Sequence, residues 1–144
     1  MLEGKITNLR PLDIGDLVTK GYIEQKVPVV PDQFEPVFKT TDGETDLALK
    51  RLIMEDSNSL EVNDRYLLDK FALMSLAAAL HSVNSLVFGD HKDEHGNFDD
   101  EKFMKKFNRM LKLPMHMLAS LGCHALWFEM RVRKLFVAEK VGNG

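Results

Sequence analysis

The sequence predicts an α+β fold, mainly α, in which a small N-terminal β-hairpin precedes a bundle of about four helices. Three observations lead there. Pro11, Gly15, Gly21, Pro28, Pro31 and Pro36 break residues 1–41 into short pieces. Two stretches rich in β-branched and aromatic residues, Tyr22 to Val30 and Phe34 to Thr41, flank the turn-forming Pro31-Asp32-Gln33. From 42 to 140 apolar residues recur at helical spacing, with Pro114 as the one proline. A single domain over 1–144 is expected, with 1–41 as the hairpin region and 42–140 as the helical region.

Each element has its own justification. A brief helical turn fits around Asp13 to Lys20. In the second strand Phe34, Pro36 and Phe38 share one face and Val37 takes the other. Prolines 28 and 36 remove ladder donors, so both strands read as edge strands, with the edge near Val37 and Lys39 open for docking. Thr41 or Asp42 caps the next helix, whose stripe is Leu47, Leu49, Leu52, Ile53 and Met54 and which stops near Asp56. Asn63 is a good N-cap for the most apolar helix, Asp64 to about Val87, which carries Tyr66, Leu67, Phe71, Met74, Leu76, Leu80 and Val83. Being apolar nearly all round, it belongs at the centre, where Ala72 and Ala77 to Ala79 let neighbouring backbones come close. After the polar stretch Gly89 to Asp100, Asp99 or Asp100 caps a helix from Glu101 to about Leu113. Pro114 then opens a last amphipathic helix, Met115 to about Glu139, with Leu118, Leu121, Ala125, Phe128, Val132 and Leu135 inward. Val141 to Gly144 reads as a frayed exit.

Composition excludes several classes. With 44% hydrophobic and 28% charged residues, the 144-residue chain is neither disordered nor fibrous, and one cysteine rules out a disulfide scaffold. The most apolar run, Phe71 to Leu80, meets His81, Ser82 and Asn84 too early to cross a membrane. No secretory signal is expected in MLEGKITNLR, and lone Cys123 fits a reducing compartment. Charge is uneven: residues 1–101 hold 10 Lys+Arg against 20 Asp+Glu, and residues 102–144 hold 9 against 2. An acidic body with a basic tail helix suits intramolecular pairing, self-association into a homo-oligomer, or docking on an acidic partner.

Chemical motifs are sparse. Gly89 to Glu101 gathers two histidines and six carboxylates, but an EF-hand register from Asp90 puts Lys92 at the third position and Gly96 at the seventh. His91 and His95 alone do not make a zinc site, so no metal is expected. Cys123 and His124 are adjacent on a helix, about 100° apart, which is wrong for a nucleophile and its base. No phosphate loop or dinucleotide fingerprint is present, and no cofactor is expected. Lys102, Lys105, Lys106, Arg109 and Lys112 fall on one helical side and are the best nucleic-acid argument, but the acidic stretch before them and a pI near 5.9 make nucleic acid an unfavoured partner. Trp127, Phe128, Met130 and Phe136 supply more apolar area than one helix face buries easily, so part of it is expected at an interface.

The order FEPVFKTTDGETD, YLLDKFALMSLAAALHSVNSL and KLPMHMLASLGCHALWFEMRVRKL resembles small proteins encoded in the tail-gene cassettes of tailed bacteriophages, the tail-assembly chaperones and related baseplate hub assembly proteins. The resemblance implies a non-enzymatic helical protein that binds a tape-measure or baseplate hub protein in the host cytoplasm, with incorporation into the virion as a further option. It also implies that a frameshift can append a second domain, Val141 to Gly144 then ending a short form. The expected partner-binding residues are Trp127, Phe128, Met130, Arg131, Arg133 and Lys134, and secondarily Val37 and Lys39. Two alternatives stay open: a permanent structural subunit of a tail or baseplate, and a small helical regulator that binds nucleic acid through Lys102 to Lys112.

Overall fold

Turn chemistry and apolar periodicity divide the chain much as expected, with one exception at the centre. The computed structural model describes residues 9, 11–59 and 64–143. A short helix α1 (Gly15–Thr19) leads into strands β1 (Glu24–Lys26) and β2 (Pro36–Lys39). Helices α2 (Gly43–Ser59) and α3 (Asp64–Ala79) follow, then strands β3 (Leu80–Val83) and β4 (Leu86–Val87), and finally α4 (Asp100–Met110) and α5 (Met115–Asn143). The protein is α+β, mainly α.

The exception is the end of the central helix. Leu80 to Val87, expected as helix, forms a tight hairpin, and the sheet has four antiparallel strands in the order β1-β2-β3-β4. Asn84 and Ser85 both sit in the left-handed region, φ 51° and 73°, the backbone of a two-residue hairpin turn. β2 is therefore an interior strand: Val37 faces Lys26 on one side and Ser82 on the other, with a bulge between Val37 and Phe38. This corrects the expected open edge at Val37 and Lys39. Pro36 does not break the ladder, because it stands at the first position of its strand. The alternation holds, with Pro36 and Phe38 buried and Val37 and Lys39 half-buried.

Helix ends follow the sequence closely. Thr45 N–H donates to Asp42 Oδ1 (2.9 Å) at the start of α2. Lys102 N–H donates to Asp99 Oδ1 (3.0 Å) at the start of α4. α2 runs past Asp56 to Ser59, α4 ends at Met110, and α5 continues to Asn143 where a frayed exit was expected. Asn63 lies outside the described residues.

One buried cluster ties sheet to helices. Ile23, Val27 and Phe38 meet Met74, Leu80, Phe88, Phe103, Phe107, Met110 and Leu121. Phe38 stacks on Phe128 with ring centroids 6.0 Å apart, which fixes α5 on the sheet, and Phe103 stacks on Phe107 at 6.0 Å. Such aromatic pairs contribute about 0.5–1.5 kcal/mol each beyond their burial. No described helix is long and apolar enough to cross a membrane.

Candidate functional site

The floor of an open groove forms where small residues of α3 and α5 face each other. Ala72, Ser75, Ala78 and Ala79 of α3 oppose Ala119, Gly122, Cys123 and Ala125 of α5. Leu49, Leu73, Leu76, Leu118, Leu126 and Val132 add apolar walls to a space of about 770 Å³. Lys39, Asp46, Glu129 and Arg133 stand among its lining residues. A Cβ built on Gly122 meets nothing within 4 Å, so this floor is open and not tight packing. Along α5 the outward residues Met115, Ala119, Leu126, Met130 and Val137 recur at alternating steps of four and seven residues, giving an exposed apolar stripe about 33 Å long that Arg133 interrupts near its end.

The expected docking residues divide between core and surface. Trp127 and Phe128 are only 8% and 3% exposed, so both belong to the core and neither is presented to a partner. Met130 is 52% exposed, Arg131 is half-buried over the Trp127 ring (5.0 Å), and Arg133 and Lys134 are exposed. Arg133 is paired with Glu129 at 3.3 Å. Val37 is enclosed within the sheet, and Lys39 lies over the Tyr22 ring at 4.0 Å. Leu126, 62% exposed, takes the outward place expected for its two neighbours. Three consecutive large apolar residues span about 200° of helix, so one of them must face out.

The basic stripe is broken. Lys106 is 4% exposed and donates to Ala78 O (3.4 Å), and Arg109 turns back to donate to Phe88 O (2.9 Å). Lys102 donates to Lys92 O and Lys105 pairs with Glu101. These side chains do not form the continuous cationic face that a duplex backbone requires.

The acidic connection is folded onto α2. Lys92 pairs with Asp42, Phe98 N–H donates to Glu44 Oε1 (2.8 Å), and Arg51 donates twice to Asp100, at 3.0 and 2.6 Å. Asp93 Oδ1 accepts from the N–H groups of His95 and Asn97, which spends an acceptor within the turn. Among the described residues no three His, Cys, Asp or Glu side chains gather as a metal site would need. Cys123 is exposed while His124 is buried, its Nδ1–H donating to Ser120 O at 2.7 Å, so the two side chains diverge.

A second concavity, missed in the sequence, holds about 440 Å³ between the end of β2, the turn at Gly89 and α4. Lys20, Lys39, Lys92, Lys106, Asp42, Asp90, His81 and His91 all reach its lining. Burial pushes the Lys106 ammonium down to about 8, partly offset by the Asp90 carboxylate. Burial and the nearby Lys106 charge push the His91 imidazole down to about 4. Burial alone would raise Asp42, but hydrogen bonds from Lys92 and the Thr45 N–H outweigh it and hold the carboxyl at about 2. Comparison of the chain with family models, curated proteins and solved structures gave no match.

Proposed function

We propose that this protein is a non-enzymatic assembly factor of a phage tail or baseplate. Its groove takes an amphipathic helical segment of a tape-measure or hub protein during tail construction in the host cytoplasm. The observation that carries the reading is the long apolar stripe of α5 beside the small-residue floor shared with α3. Alanine, serine and glycine let a third helix backbone approach closely, and the walls offer Leu73, Leu76, Leu118 and Leu126 to its apolar face. Exposed Met115 and Met130 extend the surface with side chains that repack around varied sequences. The basic balance of residues 102–144 favours an occupant with acidic flanks.

The divergence of Cys123 and His124 supports a binding role over a nucleophilic one, and the buried Lys106 weighs against the nucleic-acid alternative. The test begins with the DNA flanking the gene. A very long helical reading frame just downstream, whose purified product binds this protein and loses binding to Leu126→Glu, is the expected result. Metabolic neighbours, or binding indifferent to Leu126→Glu, overturn the proposal. Persistence of the chain in purified particles would mark a permanent tail subunit instead.

A further inference from the structure

The concavity beside α4 has a charge balance that the groove does not explain. Four lysines, Lys20, Lys39, Lys92 and Lys106, contribute to its lining against two aspartates, Asp42 and Asp90. Lys92 and Asp42 neutralise each other in an ion pair, so the excess rests on Lys20, Lys39 and Lys106 opposite Asp90. A protein gains nothing by gathering cations around a hollow unless an anion completes it, because like charges at short range repel.

Two buried groups are left short of partners in the same place. The Lys106 ammonium has three donors, is 4% exposed, and has one long hydrogen bond, to Ala78 O at 3.4 Å. His91 is 8% exposed, and its Nδ1 is sealed from solvent with no hydrogen-bond partner among the described residues. Its ring is otherwise held between Phe98 and Phe103 at 5.8 and 6.4 Å. Buried polar groups are nearly always satisfied, so a buried ammonium on a cavity wall with one long hydrogen bond has donors left for a further acceptor. Gly89, at φ +108°, carries the chain across the cavity wall in a conformation that disfavours a side chain.

We propose that this cavity is a binding site for a small phosphomonoester. Lys106 and Lys39 neutralise the phosphate, and His91 closes the wall beside them. The excess of two positive charges matches a dianion better than a carboxylate, and about 440 Å³ leaves room for an organic body beyond the phosphate itself. The cavity adjoins the groove and shares Lys39, Ala78 and Ala79 with it, but takes no lining residue from α5.

The test uses the full chain, isotope-labelled, with inorganic phosphate, glycerol 2-phosphate and acetate each titrated at constant ionic strength. Saturable amide shifts confined to residues 39–42 and 89–92 with both phosphates, at least tenfold weaker with acetate, are expected. Lys106→Met should weaken phosphate binding at least tenfold, and Lys39→Gln, at a half-buried position, at least threefold with the spectrum of a folded protein. Equal response to acetate, shifts scattered over all surface lysines, no saturation by about 20 mM, or unchanged binding in Lys39→Gln overturns the proposal.

Discussion

Asn84 holds Glu35 by both ends of its peptide geometry: its Oδ1 accepts from Glu35 N–H at 2.7 Å while its own N–H donates to Glu35 O at 3.2 Å. Its Nδ2 also donates to Gln33 O at 2.6 Å. One side chain thus ties the β3–β4 turn to the turn that precedes β2.

Asn84→Gly keeps the left-handed backbone but loses the side-chain bonds, and should lower stability by about 1–2 kcal/mol. Asn84→Ala adds a left-handed penalty of about 1 kcal/mol more. Urea midpoints of the two variants should therefore fall in that order. Equal midpoints would show that the backbone conformation carries no cost here.

Surface and core positions on α5 should separate cleanly. Ala119→Glu and Leu126→Glu should leave stability within about 0.5 kcal/mol of the parent. Phe128→Ala, which removes the ring stacked on Phe38, should cost about 3–5 kcal/mol. Thermal unfolding of the three variants checks both statements, and a large loss in Leu126→Glu would return that residue to the core.

Cys123 is exposed and lines the groove. A bulky maleimide placed there should block binding of the helical partner by at least tenfold and leave the circular dichroism spectrum unchanged. Partner bound beforehand should slow the alkylation. An alkylation rate indifferent to partner would place the contact elsewhere.

Stability should rise with pH between about 4 and 6.5. His91 binds its proton at about 4 when folded and near 6.5 when unfolded, so the unfolded state holds more protons in that window. The contribution is on the order of 2–3 kcal/mol, fully present above 6.5 and lost as the pH falls to 4. His91→Phe should flatten this limb in a series of denaturant melts, leaving the loss below pH 4 that comes from Asp42. A limb of unchanged slope would show that His91 is not its source.

The same sign applies to Lys106 at higher pH. Its proton is held at about 8 in the folded chain against 10.5 unfolded, so stability should climb between pH 8 and 10.5. Lys106→Met should remove that climb and gain about 1–2 kcal/mol at pH 7, because a buried cation with one weak acceptor is replaced by an apolar side chain. A loss at pH 7 would mean that the bond to Ala78 outweighs desolvation.

Local chemistry was legible wherever it was decided locally. The caps Asp42 and Asp99, the alternation of Pro36, Val37 and Phe38, and the restart after Pro114 depend on neighbours within a turn. The hairpin after Ala79 was hidden because Leu80 and Val83, three residues apart, extend the helical spacing of the apolar run before them across His81 and Ser82. Its signal was present in Val83-Asn84-Ser85-Leu86-Val87, an Asn-led turn between apolar and β-branched residues. Surplus apolar area was legible at Trp127, Phe128, Met130 and Phe136, but only packing against Phe38 decides that Phe128 turns inward and Leu126 outward. The cationic cavity was invisible because its lysines come from segments far apart in sequence.

The placement of β3 between a helix and a turn also orders events during synthesis. Val37 and Ser82 are partners across 45 residues, so β2 must wait on the ribosome while α2 and α3 are made. Its edge away from β1 stays unpaired through that interval, protected by short length and the proline at its start. The groove comes later still, because α5, which supplies one wall, follows the sheet in the chain. A nascent chain therefore has all four strands of its sheet before α5 closes the groove.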